Sequence, residues 1–179
     1  EVRAFSTTAS ATIYGAVQSF TTEATPTVVV TDAASLIAQT TATLNATINL
    51  GSKPLTSQGF EWRLAGGNTW TNVAASLNGT VILHNLTDLT ANTAYEYRAY
   101  AINASETIYG AVQSFTTLPI APIAVTEVAT LITQTTTTLN GTITIGSESI
   151  LTQGFEWKLS SASTWNSLSL SGNAIAHNL

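Results

Sequence analysis

The 179-residue chain contains no cysteine and no methionine, and only 8% of its residues are charged. The absence of cysteine excludes disulfides, thiolate metal sites and a cysteine nucleophile, and it leaves the redox compartment open. In soluble domains roughly a quarter of the residues are charged. The polar surface of this chain is therefore mostly uncharged. Threonine is prominent instead, and this β-branched residue favours pleated strands. The composition therefore predicts an all-β protein.

Basic patches and long apolar runs are lacking as well. Ten acidic residues against five basic residues give a net charge of −5, and no basic stripe is visible, so we expect no nucleic-acid partner. Without a polybasic segment or an apolar run of about 18 residues, we expect no membrane insertion by this segment. Because there is no initiator methionine and no signal-peptide pattern, we expect a processed or excised piece of a longer protein.

A ten-residue sequence, IYGAVQSFTT, occurs twice, at Ile13–Thr22 and at Ile108–Thr117. The offset between the copies is 108 − 13 = 95 residues, which we take as the period of the chain. This period predicts three parts: the C-terminal strands F and G of one repeat (1–22), a complete repeat (27–117), and strands A to E of a further repeat (122–179). The linkers between them are short, and prolines in the second favour a semi-rigid connection.

Within the complete repeat, apolar alternation and turn residues predict seven short strands. In the order A to G, these are Val28–Thr31, Thr41–Leu50, Gln58–Leu64, Thr69–Val73, Thr80–Leu86, Tyr95–Ile102 and Tyr109–Thr117. Seven short strands with frequent turns are typical of a β-sandwich. No segment has a sustained helical period, so we expect no long helix.

The segment Leu89-Thr-Ala-Asn-Thr-Ala-Tyr95 resembles the L-x-P-x-T-x-Y corner of a fibronectin type III domain, with Ala91 in place of the usual proline. Gly59-Phe-Glu-Trp62 and Ser114-Phe-Thr-Thr117 resemble more closely the variant found in surface and secreted proteins of Bacteroidetes-type bacteria. The resemblance implies seven-stranded fibronectin type III-like β-sandwiches in tandem. It also implies that Tyr95 is a structural residue whose hydroxyl bonds to nearby backbone. Since the family is a spacer and a binding scaffold, the resemblance says little about function.

The four tryptophans form two repeat pairs, Trp62 with Trp157 and Trp70 with Trp165. Trp62 shares a strand face with Phe60, so Trp62 and Trp157 are predicted to be structural core residues rather than ligand-binding ones. Trp70 follows a glycine-rich turn, so Trp70 and Trp165 are candidate ligand-facing aromatics that could stack on sugar rings, with a buried position as the alternative.

Four charged residues, Glu61, Arg63, Glu96 and Arg98, lie on outward positions of neighbouring strands. We expect them to form a cross-strand ladder of opposite charges. A catalytic pair of glutamates is the alternative, but each has a basic residue two positions along the same face, and such a pair needs environments that separate the two pKa values. No metal-ligand, phosphate-binding or nucleophile motif is present. We therefore predict no catalytic, metal or cofactor site and no enzymatic activity.

The preferred hypothesis is a structural repeat segment of an extracellular or cell-surface bacterial fibre, stalk or adhesin. Segment 1–22 is predicted to complete the unit at 122–179 head to tail, either between separate copies or within a longer repeat chain. Phe115 and its twin Phe20 are the expected structural anchors of strand G, and the completing residues are Ile13, Tyr14, Val17 and Phe20. The alternative is a carbohydrate- or protein-binding accessory module of a secreted enzyme or surface receptor.

Overall fold

A computed structural model describes every residue from Glu1 to Leu179, and all of its regular elements are β-strands. No helix long and apolar enough to cross a membrane is formed. The strands are β1 (Phe5–Thr7), β2 (Thr12–Tyr14), β3 (Val28–Ser35), β4 (Ala42–Asn49), β5 (Leu55–Leu64), β6 (Thr71–Ala74), β7 (Val81–Leu86), β8 (Ala94–Asn103), β9 (Thr107–Tyr109), β10 (Gln113–Thr116), β11 (Ile123–Thr130), β12 (Thr138–Thr144), β13 (Gln153–Trp157), β14 (Asn166–Leu170) and β15 (Ala174–Asn178). The all-β prediction is confirmed.

Strands β3 to β10 build a β-sandwich. One sheet has the order β3-β4-β7, and the other has the order β10-β8-β5-β6 with β9 also paired to β8. All of these neighbours are antiparallel. The two sheets share one core of 14 buried residues, to which the first sheet contributes Leu44 and Ile48 and the second contributes Phe60 and Tyr97.

The alternating sequence of β4 explains which of its faces enters this core. Successive strand residues point to opposite faces of a sheet, and Leu44, Ala46 and Ile48 are fully buried while Asn45 and Thr47 lie between them on the outer face. Burying a large aliphatic side chain contributes about 1.5–3 kcal/mol. The period of two along β4 therefore fixes both the strand and its orientation.

The strand predicted at Tyr109–Thr117 is divided, which gives the sandwich eight strands rather than seven. β9 pairs with β8 up to Tyr109, and pairing resumes only at Gln113 in β10. In an antiparallel hydrogen-bonded pair, both residues exchange N–H and C=O groups. Gly110 N–H does donate to Ala99 O (3.0 Å), but Ala99 N–H donates to the Thr31 hydroxyl (3.0 Å) instead of returning the bond. A side chain from β3 thus replaces strand G at this point.

Strands β1 and β2 form a hairpin in the N-terminal segment. The hairpin pairs Phe5 with Tyr14 and Val2 with Gln18, as β8 pairs with β9 and β10 at positions 95 residues later. No other sheet of the chain packs against it. The hairpin keeps the register of a sandwich edge while its apolar side chains are exposed.

Strands β11 to β15 form the C-terminal unit. β11, β12 and β15 make one sheet, and β13 and β14 make a second. Their core consists of Ile143, Phe155 and Ile175, with Leu139 and Trp157 packed against it. In the complete sandwich β5 pairs with both β6 and β8, whereas β13 pairs with β14 alone. One edge of β13 is therefore open.

Candidate functional site

The outer face of β5 and β8 carries two ion pairs. Arg98 Nη2 lies 2.7 Å from Glu61 Oε2, and Arg63 Nη2 lies 2.8 Å from Glu96 Oε2. These are the cross-strand partners Glu61↔Arg98 and Arg63↔Glu96 of the β5–β8 ladder. The predicted ladder of opposite charges is confirmed. Each carboxylate faces a guanidinium, which is a structural arrangement rather than that of a general acid and base.

Trp70 and Tyr109 extend this charge ladder with their rings. The Arg63 and Arg98 guanidinium carbons lie 4.1 and 4.8 Å from the Trp70 ring centroid, and Arg98 also lies 3.9 Å from that of Tyr109. A cation over an aromatic face is attracted by the ring quadrupole. Trp70 is half-buried, and its ring is engaged by arginines of its own unit. We call the six residues Glu61, Arg63, Trp70, Glu96, Arg98 and Tyr109 the outer ladder.

The same six positions are present a second time, divided between the two ends of the chain. Subtracting or adding 95 places Glu1, Arg3 and Tyr14 in the N-terminal hairpin, and Glu156, Lys158 and Trp165 in the C-terminal unit. The Arg3 guanidinium carbon lies 3.8 Å from the Tyr14 ring centroid, and Lys158 Nζ lies 5.2 Å from that of Trp165.

Trp165 is 58% exposed, in contrast to its half-buried twin Trp70. It lies at a groove of about 470 Å³ that is lined by residues of β13 and β14 together with Thr126 of β11. Of the two predicted ligand-facing tryptophans, only Trp165 presents a largely exposed ring.

The predicted structural aromatics meet inside the complete sandwich. The Tyr95 and Phe115 rings stack with centroids 5.5 Å apart, and Trp62 lies 5.8 Å from Tyr95. The Tyr95 hydroxyl accepts a hydrogen bond from Thr90 N–H at 2.9 Å, which ties the corner to the start of β8. Trp157 is half-buried against the smaller core of the C-terminal unit.

Phe20 is exposed in this chain, and its predicted role as an anchor depends on strands of another unit, so it stays a prediction. It is 66% exposed, whereas its twin Phe115 is 6% exposed. The other predicted completing residues, Ile13, Tyr14 and Val17, are exposed too. Phe115 is covered by the opposite sheet, and no sheet of this chain covers the hairpin. The two copies of IYGAVQSFTT therefore have the same sequence, but only the second copy continues as a paired strand at Gln113–Thr116 and is covered by an opposite sheet.

Tyr97 is a buried polar residue that the sequence places inward without indicating its partner. Its hydroxyl donates to Asp32 O at 2.5 Å, joining β8 to β3 across the core. Burial raises the pKa of Tyr97 to about 12, and the nearby Asp32 carboxylate adds to the rise. A tyrosine that stays protonated in this way is a hydrogen-bond donor rather than a base.

At each junction between units, one serine binds both backbone polar groups of a linker residue. Thr25 N–H donates to Ser52 Oγ (2.6 Å), and Ser52 N–H donates to Thr25 O (3.0 Å). Ser147 makes the same two bonds with Ile120, at 2.7 and 2.9 Å, and 147 − 52 = 95. A β-carbon on Gly51 or Gly146 would overlap that linker carbonyl oxygen, so glycine is needed for the approach.

The second linker is also held by the complete sandwich. Leu118 N–H donates to Ala38 O (3.0 Å), and Asn92 N–H donates to Leu118 O (3.2 Å). The Asn92 side chain then reaches the next unit and donates from Nδ2 to Ser147 O at 3.1 Å. The sequence analysis did not identify these junction residues. The pairs Gly51-Ser52 and Gly146-Ser147 recur at the repeat period, and this recurrence could have indicated them.

Comparison with protein-family models and with curated proteins finds no match. Among solved structures, the sensor domain of the anti-sigma factor RsgI4 in Pseudobacteroides cellulosolvens is 17% identical over 52% of this chain and 95% of its own, with a TM-score of 0.41. A myokine structure is 15% identical over 52% of this chain and 98% of its own, also at 0.41. The FN1–FN3 domains of chicken CNTN1 are 12% identical over 83% of this chain and 53% of their own, at 0.38.

The strand order itself defines the class of fold. A three-stranded sheet, β3-β4-β7, faces the sheet β10-β8-β5-β6, and a tyrosine corner precedes the central strand β8. This is a fibronectin type III-like β-sandwich. The fold hosts many functions, so the class of fold alone does not define what this chain does.

Proposed function

We propose that the chain is a non-catalytic structural segment of an extracellular bacterial fibre, stalk or adhesin, built of fibronectin type III-like units that follow one another as a stiff rod. The junction geometry carries this proposal. At both junctions a serine and the glycine before it hold the linker backbone in the same way. A linker whose polar groups are bonded to the following unit has little freedom to swing, unlike a flexible tether.

The cell-surface setting rests on the composition and on the family resemblance. The chain has few charges and is rich in threonine, and Gly59-Phe-Glu-Trp62 and Ser114-Phe-Thr-Thr117 resemble the variant of Bacteroidetes-type surface and secreted proteins. Labelling intact source cells with an antibody against the chain tests this setting. Labelling that appears only after the cells are permeabilised would contradict it.

Stiffness can be measured directly because the chain contains no cysteine. Spin labels at Leu83→Cys and Val128→Cys, which are exposed positions on either side of the second junction, should give a narrow distance distribution by pulsed electron resonance. Gly146→Ala should broaden it, because the added methyl group collides with Ile120 O. Ser149→Ala, an exposed serine of the same loop, is the matched control. A broad distribution in the parent chain would show a flexible tether and refute the rod.

Self-association is part of the same proposal. The N-terminal hairpin and the C-terminal unit carry complementary parts of one sandwich, so they can complete one another head to tail, between copies or in a longer repeat chain. Such an interface is heterologous and open, and it propagates as a filament unless it closes into a ring.

A binding module is the second candidate, and the exposed ring of Trp165 beside its groove favours it. Flat aromatic faces stack on sugar rings through their apolar surface. A glycan array probed with the parent chain and with Trp165→Ala tests this function, and Trp70→Ala is the control because Arg63 and Arg98 already engage the Trp70 ring. Binding that is lost only in Trp165→Ala would support a carbohydrate-binding role.

A further inference from the structure

Strand β13 corresponds to a central strand of the complete sandwich, but it has a paired neighbour on one side only. In the complete sandwich, the equivalent β5 pairs with β8 through Glu61↔Arg98 and Arg63↔Glu96. Shifting this register by 95 residues places Glu156 opposite Arg3 and Lys158 opposite Glu1. Both pairs unite opposite charges, as the two observed ion pairs do. A slip by one residue would set these side chains on opposite faces of the sheet.

The aromatic residues of the outer ladder also have one counterpart in the N-terminal hairpin and one in the C-terminal unit. Arg98 lies between the rings of Trp70 and Tyr109. The hairpin brings the counterparts of Arg98 and Tyr109, which are Arg3 and Tyr14 and are already in contact at 3.8 Å. The C-terminal unit brings Trp165, the counterpart of Trp70, with an exposed ring. Docking would place Arg3 between Tyr14 and Trp165 and beside Glu156.

A glycine in the hairpin would allow its backbone to approach the C-terminal unit closely at the open edge of β13. Gly110 lies against Thr31 in the complete sandwich, so closely that a β-carbon there would overlap the Thr31 hydroxyl. The counterparts are Gly15 in the hairpin and Thr126, which lines the groove of the C-terminal unit. Within the single chain, a β-carbon on Gly15 would meet only Ala4, at 3.6 Å or more. Glycine at residue 15 has no packing role in the single chain, but it has one in the docked arrangement.

We propose that a second copy of this chain occupies the open edge of β13: its Glu1–Thr7 segment adds as an antiparallel strand in the register Arg3↔Glu156 and completes the outer ladder across two molecules. The inference rests on the proposed function and specifies its partner and contacts. Main-chain bonds to the free strand edge supply affinity, and the two ion pairs with the Trp165–Arg3–Tyr14 stack select the register. The exposed Phe20 then covers the core of Ile143, Phe155 and Ile175.

Charge exchange tests the partner and the register together. Sedimentation equilibrium of the parent chain over a wide concentration range should show reversible association beyond a monomer. Arg3→Glu and Glu156→Arg should each weaken association by about tenfold or more, because each sets like charges opposite one another. The double variant should associate within a factor of about three of the parent. The paired exchange Lys53→Glu and Glu106→Lys, at exposed residues away from the interface, is the control and should leave association unchanged.

Gly15→Ala separates docking from folding. It should leave the melting temperature of the monomer unchanged and reduce association, since the methyl group meets Thr126 only in the docked state. Cysteines at Ser6 and Gln153, the counterparts of the observed partners Ala101 and Gln58, should form covalent multimers on mild oxidation. Cysteines at Thr7 and Gln153, one residue out of register, should form few of them, because cross-strand disulfides need closely opposed Cβ atoms.

The outcomes are separate from those of the stiffness test. A parent chain that stays monomeric at all concentrations overturns the docking inference, even where the spin-label distances confirm the rod. Association that is insensitive to Arg3→Glu, Glu156→Arg and Gly15→Ala also overturns it, because it would use other surfaces. A monomer that binds a glycan through Trp165 would assign the groove to carbohydrate and overturn it as well.

Discussion

Gly110 packs directly against Thr31 at the point where the last strand of the sandwich is interrupted. A β-carbon on residue 110 would overlap the Thr31 hydroxyl and lie 2.7 Å from the Thr31 nitrogen. The same hydroxyl accepts the hydrogen bond of Ala99 N–H. One threonine of β3 therefore joins the two sheets at the interruption between β9 and β10.

Gly110→Ala should destabilise the complete sandwich by about 1–3 kcal/mol, the usual cost of overpacking a well-packed site. Urea unfolding followed by tryptophan fluorescence measures this change. Gly15→Ala, the same substitution in the exposed copy of the sequence, should change the free energy of unfolding by less than about 0.5 kcal/mol. Equal effects of the two substitutions would show that Gly110 does not pack as described.

The two phenylalanines of the repeated sequence give a second matched pair. Phe115 is buried beside Tyr95 and Tyr97, so Phe115→Ala should cost about 3–5 kcal/mol of stability. Phe20→Ala should leave the stability of the monomer nearly unchanged, because its ring is exposed. Thermal unfolding of both variants, performed at a concentration where the chain is monomeric, tests this difference. A large loss in Phe20→Ala would mean that the hairpin is covered within one chain.

The raised pKa of Tyr97 predicts a loss of stability at alkaline pH. Its folded pKa of about 12 lies above the ordinary tyrosine value of 10.0, so the folded state binds the proton more tightly than the unfolded state does. This contribution is fully present below about pH 10 and is lost as the pH rises towards about 12. Tyr97→Phe should therefore show a shallower fall of unfolding free energy over this range.

Tyr97→Phe also removes a hydrogen bond, and this loss has to be separated from the effect on the alkaline slope. Tyr97→Phe removes the donor to Asp32 O and should cost about 1 kcal/mol at neutral pH. Thr43→Val, which removes the hydroxyl that donates to Asn85 Oδ1, is a control that perturbs a hydrogen bond without removing a tyrosine. An identical slope in Tyr97→Phe and the parent would assign the alkaline transition to other groups.

Arg98 is predicted to stabilise the outer ladder through both charge and ring contacts. Arg98→Met keeps much of the apolar stem, yet it removes the pairing with Glu61 and the contacts with Trp70 and Tyr109. We expect a loss of about 1–2 kcal/mol, with the aromatic part insensitive to salt. Chemical unfolding at low and high ionic strength separates the two parts. A loss that disappears entirely at high salt would leave the ion pair alone as its source.

Local periodicity was sufficient to predict much of this fold. The alternation in Thr41–Leu50 identifies the buried face of β4, since a period of two allows only one face to be apolar. The charged positions Glu61, Arg63, Glu96 and Arg98 were predictable as a ladder because their strands are neighbours in the resembled fold. Tyr95 was predictable as a corner residue from the Leu89–Tyr95 pattern.

Features that depend on distant residues were not predictable in this way. The hydrogen bond from Ala99 N–H to the Thr31 hydroxyl joins residues 99 − 31 = 68 positions apart. Trp70 follows a glycine-rich turn that gives no indication of Arg63 and Arg98 over its ring. The contrast between Phe20 and Phe115 is beyond any local pattern, because their flanking sequences are the same. Phe115 has a paired neighbour in β8 and an opposing sheet above it, and Phe20 has neither.

The repeated serine junctions have a geometric consequence. Ser52 and Ser147 hold Thr25 and Ile120 by the same bonds, so each linker enters the unit that follows it in the same way. Units that also repeat the bonds of Leu118 with Ala38 and Asn92 would be related by one rotation and one translation. Repeating one such operation generates a screw axis, with a constant rise and a constant turn per unit. The outer ladder would then recur along a helical path of fixed pitch, so a thread of these units would give discrete layer lines in its diffraction pattern.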